Sequence, residues 1–212
     1  MTDWPATGVH FALTRGDLVI LDVRRDAYAC LARAADHMTP ERDQGWAISD
    51  PDVRTALMDG GILSSTPPQD RRRVATPVSD ELPDGILSLT AASVLAALGA
   101  GLATPRFRAA TFAEIVDEAR RTRLESRDVD PLRLASAVRV FRSGRPWVPF
   151  AGLCLQRAYL LRRHLLRRGI GVDWVFGVRT WPFVAHCWLQ ADGLVIAEGL
   201  DHVRTYDPIL VV

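Results

Sequence analysis

Between Cys154 and Leu189 the chain switches from a helical to a strand-like repeat, and that switch leaves few folds open to it. Cys154-Leu-Gln-Arg-Ala-Tyr-Leu-Leu-Arg-Arg-His-Leu-Leu-Arg-Arg168 carries its apolar residues at helical spacing and stops at Gly169. Cys154, Ala158, Leu161 and Leu165 fall on one face. Strands are predicted over 172–178, 184–189 and 194–198, with Asp192-Gly193 as a hairpin turn and a last extended run over 209–212. A helix packed on an antiparallel sheet follows, an α+β arrangement. The thiol of Cys154 stands at the helix end nearest that sheet.

Composition narrows the function classes. The chain has 212 residues, 48% of them hydrophobic, enough for one domain or a small one joined to a medium one. Its formal net charge of +1 lacks the basic excess of a nucleic-acid binder. All 26 basic residues are arginine, which reads as genomic base composition. Three cysteines far apart in sequence make no disulfide framework, so a reducing compartment is expected. Asp3 and Pro5 interrupt any apolar leader, and the expected location is cytoplasmic. The uncharged stretch 85–105 approaches the length of a membrane span, but it is mostly Ala, Gly, Ser and Thr. It is expected to be a buried helix, with no membrane partner.

Residues 64–85 mix proline, hydroxyl and charged residues without periodicity and divide the chain. Ahead of them, 9–13 and 18–23 read as strands joined at Arg15-Gly16-Asp17. The run 27–31 continues into a helix through Asp36, and Ser49-Asp50-Pro51 starts a helix over 52–59 that stops at Gly60-Gly61. Strands followed by short helices suggest a small winged-helix-like N-terminal module. Behind the boundary, helices are expected near 86–102, 111–123 and 131–142, with Thr111 and Glu114 as a capping box. Pro146, Pro149 and Gly152 form a loop feeding the Cys154 helix.

A helix N-terminus favours a thiolate, and a strand presents an imidazole rigidly to it, so Cys154 and His186 are a candidate nucleophile and base. In a regular strand Val184, His186 and Trp188 face one side while Cys187 faces the other, so Cys187 is not expected to share the site. Glu198 and Asp201 are the candidates to orient the imidazole. A two-residue Asp192-Gly193 turn would pair Cys187 with Glu198. A three-residue loop, Ala191-Asp192-Gly193, would pair His186 with Glu198 at about 5 Å between Cβ atoms. The second register is preferred because it gives the carboxylate a function. Cys154, His186, Cys187 and His202 lack the short paired spacings of structural zinc sites, and no phosphate-loop glycine pattern occurs. Neither metal nor cofactor is expected.

Cys154-Leu-Gln-Arg-Ala, Leu165-Leu-Arg-Arg-Gly-Ile170, Phe176-Gly-Val-Arg179, Pro182-Phe-Val-Ala-His-Cys-Trp188 and Asp192-Gly193 resemble the lasso-peptide B proteins. These are transglutaminase-like, papain-like cysteine proteases that remove the leader from a ribosomally made precursor. Leu21-Asp-Val-Arg-Arg-Asp-Ala-Tyr28 resembles the PqqD-like precursor-recognition module fused ahead of them. The resemblance implies a recognition module over 1–66, a linker over 67–85 and a protease domain over 86–212. It implies Cys154 as nucleophile and His186 as base. Glu198 stands where the family has an aspartate, with Asp201 as the alternative. Its implied partners are the precursor's leader segment and an ATP-dependent lasso cyclase. The leader would add as a strand along 26–31 against the helix 52–59, touching Asp26, Tyr28, Cys30, Val53 and Leu57. An amine-transferring transglutaminase and a non-catalytic peptide-binding scaffold remain as alternatives.

Overall fold

A computed structural model describes residues 2–68, 73–124, 129–147 and 154–212. Their contacts divide the chain into two compact units. One comprises Met1–Val74, Gly177–Ala185 and Asp207–Val211, the other Ala75–Phe176, His186–Tyr206 and Val212.

In the first unit, β1 (Thr2–Pro5), β2 (Val9–Thr14), β3 (Asp17–Asp22) and β4 (Ala27–Leu31) precede the short β5 (Met38–Pro40) and β6 (Trp46–Ile48). Then come α1 (Pro51–Asp59) and β7 (Leu63–Ser64). β2, β3 and β4 form an antiparallel meander. Its first hairpin is closed by Arg15 and Gly16, both at positive φ, the twist that a two-residue hairpin turn needs. β5, β6, β1 and β7 make a second sheet. Phe11, Leu18, Ile20, Met38, Trp46 and Leu63 form the core between these elements. Asp3 is wholly buried and takes two bonds from the Arg54 guanidinium, at 2.6 and 2.8 Å, which ties α1 to β1. Asp50 caps α1 by accepting from the Asp52 and Val53 amides, as its sequence signature predicts.

The winged-helix expectation finds no support here. Among the described residues up to Ser64 there is one α-helix, and the run after β4 is a single 3-10 turn, Ala34–Asp36, rather than a helix. Arg33 and Asp36 form an ion pair there, but Arg33 adopts a left-handed conformation that ends the strand without starting an α-helix.

The second unit holds β8 (Asp80–Glu81), α2 (Ala91–Ala109), α3 (Phe112–Arg121), α4 (Pro131–Gly144), α5 (Cys154–Leu166), β11 (Leu194–Ile196) and α6 (Leu200–Val203). With β9 (Asp173–Arg179), β10 (Val184–Ala191) and β12 (Asp207–Val211) the sheet order is β12-β9-β10-β11-β8. The sheet is not wholly antiparallel, because β8 pairs parallel to β11. The Thr111–Glu114 capping box opens α3 as expected. α5 ends where Gly169 turns left-handed and the Ile170 amide reaches back to the Leu165 carbonyl, a C-terminal motif that glycine permits. Pro149 and Gly152 of the predicted loop lie outside the described residues.

α2 corrects the sequence reading of 85–105. It begins at Ala91, capped by Thr90, and it is not uniformly buried. Ser93, Ala96, Ala97, Ala100 and Ala103 face inward, whereas Val94, Leu95, Leu98 and Leu102 are exposed. Small residues allow close helix packing: a Cβ on Gly144 of α4 would stand 2.2 Å from the Ser93 carbonyl oxygen. No described helix is long and apolar enough to cross a membrane.

Candidate active site

Cys154 is the first residue of α5, so its thiol lies beside backbone N–H groups that have no partner within the helix. Ala158, Leu161 and Leu165 anchor the same helical face in the core. The thiol pKa is pushed down to about 4, first by a hydrogen bond from the Cys187 side chain and then by one from His186. Burial opposes this, while the Cys187 backbone N–H and the charge of His186 add to it. The positive end of the helix acts in the same direction. Cys187 is buried, and contact with Cys154 holds its own pKa well above the thiol range. Cys187 therefore keeps its proton and donates it toward a Cys154 thiolate.

This overturns the exclusion of Cys187 from the site. The alternation of side chains along β10 holds, with His186 stacked at 6.4 Å over Trp188 two residues on. However, β11 accompanies β10 only as far as the Leu189–Ile196 pair. A side chain arriving at the strand beyond that point meets both neighbours, His186 and Cys187.

The hairpin register also differs from the preferred one. Ala191 pairs with Leu194, Gln190 with Val195 and Leu189 with Ile196, around a two-residue Asp192-Gly193 turn with both residues at positive φ. Continued regularly, that ladder would set Glu198 opposite Cys187. It does not continue, because Ala197 turns left-handed at φ 59°. The turn redirects Glu198, whose Oε2 lies 3.9 Å from His186 Nε2. The carboxylate reaches the imidazole by a kink rather than by strand pairing. Asp201 is exposed in the first turn of α6.

Sequence reasoning left four neighbours out of the site, two of them, Cys187 and His202, after weighing them. Arg157, one helical turn after Cys154, places Nη2 3.4 Å from Glu198 Oε1. Its i, i+3 spacing from Cys154 was the available signal. Tyr206 and His202 flank the His186 ring, with centroids at 5.2 and 5.1 Å, and Cys187 is the fourth. His202 also joins His186 and Glu198 in a group of donors whose ligand atoms all lie within 4.8 Å of one another, a set able to hold a metal ion. No spacing rule flags that set, because α6 and the kink at Ala197 assemble it.

The residues singled out for peptide binding lie in the first unit. Asp26 is in the left-handed turn before β4. Tyr28 is half-buried, its ring 5.5 Å from that of Phe183, and Cys30 is exposed. β4 is an edge strand of its meander. Val53 and Leu57 pack half-buried against the core cluster.

A sequence profile of the transglutaminase-like superfamily matches residues 94–211. A 50-residue stretch is 45% identical to the microcin J25-processing protein McjB of Escherichia coli, covering 24% of this chain and 24% of that protein. The chain thus aligns with about a quarter of the length of that relative. Both matches support the resemblance to lasso-peptide B proteins with a transglutaminase-like domain. No solved structure matches the chain.

Proposed function

This chain belongs to the transglutaminase-like superfamily, and we propose that it is the cysteine peptidase that frees a lasso-peptide core from its leader. The observation that carries this reading is the Cys154 thiol, poised as a thiolate at a helix start in contact with His186. A cysteine thiolate beside a histidine is a nucleophile ready for acyl transfer. The similarity to a microcin-processing protein supports the substrate class.

In this mechanism the Cys154 thiolate attacks the last carbonyl of the leader. The resulting oxyanion is met by the Cys154 backbone N–H. His186 then gives its proton to the leaving amine, and the core peptide departs with a free α-amine. Water, deprotonated by His186, hydrolyses the thioester and restores Cys154. Glu198 orients the imidazole and stabilises its charged form, and Arg157 holds Glu198 from the other side. An ATP-dependent cyclase partner would join the freed amine to an acidic side chain, which requires no nucleotide site in this chain.

The segment 1–66 is assigned to leader recognition, 67–85 to a linker and 86–212 to the peptidase. The edge of β4 suits an added leader strand, with Asp26, Tyr28 and Cys30 along it. Val53 and Leu57 contribute through the α1 face on which that sheet packs. The test is to incubate the protein with its precursor peptide, with and without cyclase and ATP, and weigh the products. A single cut at the leader–core junction, lost in Cys154→Ala, supports the peptidase. An amine-linked product indicates a transglutaminase, and binding with no cut in any condition indicates a scaffold.

A further inference from the structure

The second ring nitrogen of His186 faces Glu198 together with His202, and the mechanism above gives His202 no part. Nε2 is buried and has no hydrogen-bond partner, and the side chain as a whole is only 10% exposed. The Glu198 oxygen beside it, at 3.9 Å, is too distant for a hydrogen bond. His202 completes the group, with one ligand atom from each of the three residues inside a 4.8 Å limit. Two donors that share a zinc ion at about 2.0–2.2 Å sit roughly 3–4 Å apart. The spacing that fails as a hydrogen bond therefore suits a bridging cation. Two imidazoles and one carboxylate favour zinc-like ions over calcium or magnesium, which prefer oxygen donors.

We propose that His186, Glu198 and His202 form a zinc-class divalent cation site whose occupation reversibly arrests the Cys154 centre. The binding part stands on the three donors alone, while the arrest rests on the peptidase reading above. With Nε2 given to the ion, only Nδ1 is left to face Cys154. The ion takes Nε2, and any proton carried there is released to solvent. Nδ1 then keeps its proton, since giving it up would leave a metal-bound imidazolate. The thiolate can still add to the peptide carbonyl. The amine, however, receives no proton, and the adduct collapses back to thiolate and intact peptide. Release of the ion restores turnover.

The test uses the full chain, freed of metal by chelation. Zn2+ binding is followed by calorimetry and Co2+ binding by its visible absorption, both without peptide. The expected result is one equivalent bound, unchanged in Cys154→Ala and at least tenfold weaker in His202→Ala. In precursor cleavage, Zn2+ should inhibit the wild type and a chelator should restore it. Each measured against its own metal-free rate, His202→Ala should need at least tenfold more Zn2+ than the wild type to be inhibited. No binding, binding lost in Cys154→Ala, or binding indifferent to His202→Ala overturns the site. Inhibition indifferent to His202→Ala overturns the arrest. If the precursor is never cut, the peptidase reading fails, while the two metal titrations still decide the site.

Discussion

At the scale of single residues, the chemistry turns on two cysteines with opposite protonation. Cys154 is held as a thiolate by donors, the first of them the thiol of Cys187. Its alkylation by iodoacetamide should therefore stay nearly constant from pH 8 down to about pH 5, where an ordinary thiol slows about tenfold per pH unit. Cys187→Ala removes the first donor and should move the midpoint of that profile upward, as followed by intact mass. The acids separate in the same way. Glu198→Gln should lower kcat/KM at least about tenfold, because an orienting carboxylate sets the imidazole's position and charge. Asp201→Ala, at an exposed site, should stay within about twofold. A steady-state assay on the precursor decides between them, and equal losses would contradict the assignment to Glu198.

At the scale of elements, the lesson concerns faces and registers. α5 was legible because its apolar stripe, its glycine stop and its cysteine head are all local signals. The α3 capping box and the Asp50 cap were legible for the same reason. The β10–β11 register was not, since it was chosen to bring Glu198 to His186, and the structure achieves that through Ala197 instead. A left-handed alanine costs about 1 kcal/mol or more and leaves no trace in composition. α2 is not the wholly buried helix expected, because only its small residues pack inward, at close approach to α4. Gly144→Ala tests that packing. Its methyl would meet the Ser93 backbone, and urea denaturation should show a loss of about 2 kcal/mol, typical of an overpacked contact. An unchanged midpoint would mean that α2 and α4 part easily.

At the scale of the whole molecule, stability should carry the signature of a buried neutral histidine. His164 in α5 is nearly buried, its Nε2 3.1 Å from the Ala137 carbonyl oxygen. Burial, aided by the Arg168 charge, lowers its pKa to about 4. The unfolded chain binds that proton near pH 6.5, so stability present above pH 6.5 is lost as pH falls toward 4, by up to about 3 kcal/mol. His164→Gln keeps a side-chain donor but cannot titrate. Its denaturation free energy should fall less than the wild type's between pH 7 and 4.5, and parallel curves would contradict the buried neutral state. Composition gave no sign that residues 177–185 and 207–211 group with the first unit. The parallel strand β8 and the short α6 were not legible either, because they are too brief to carry a periodic pattern and exist through long-range partners.

In the proposed reaction Cys154 carries the leader as a thioester. The most direct measurement is an acid quench of the protein mixed with its precursor, followed by intact-mass and peptide mapping. An adduct of the leader's mass on Cys154, appearing before free leader and absent in Cys154→Ala, is the predicted result. A precursor cut at the same rate by Cys154→Ala, with no adduct on the wild type, would contradict it.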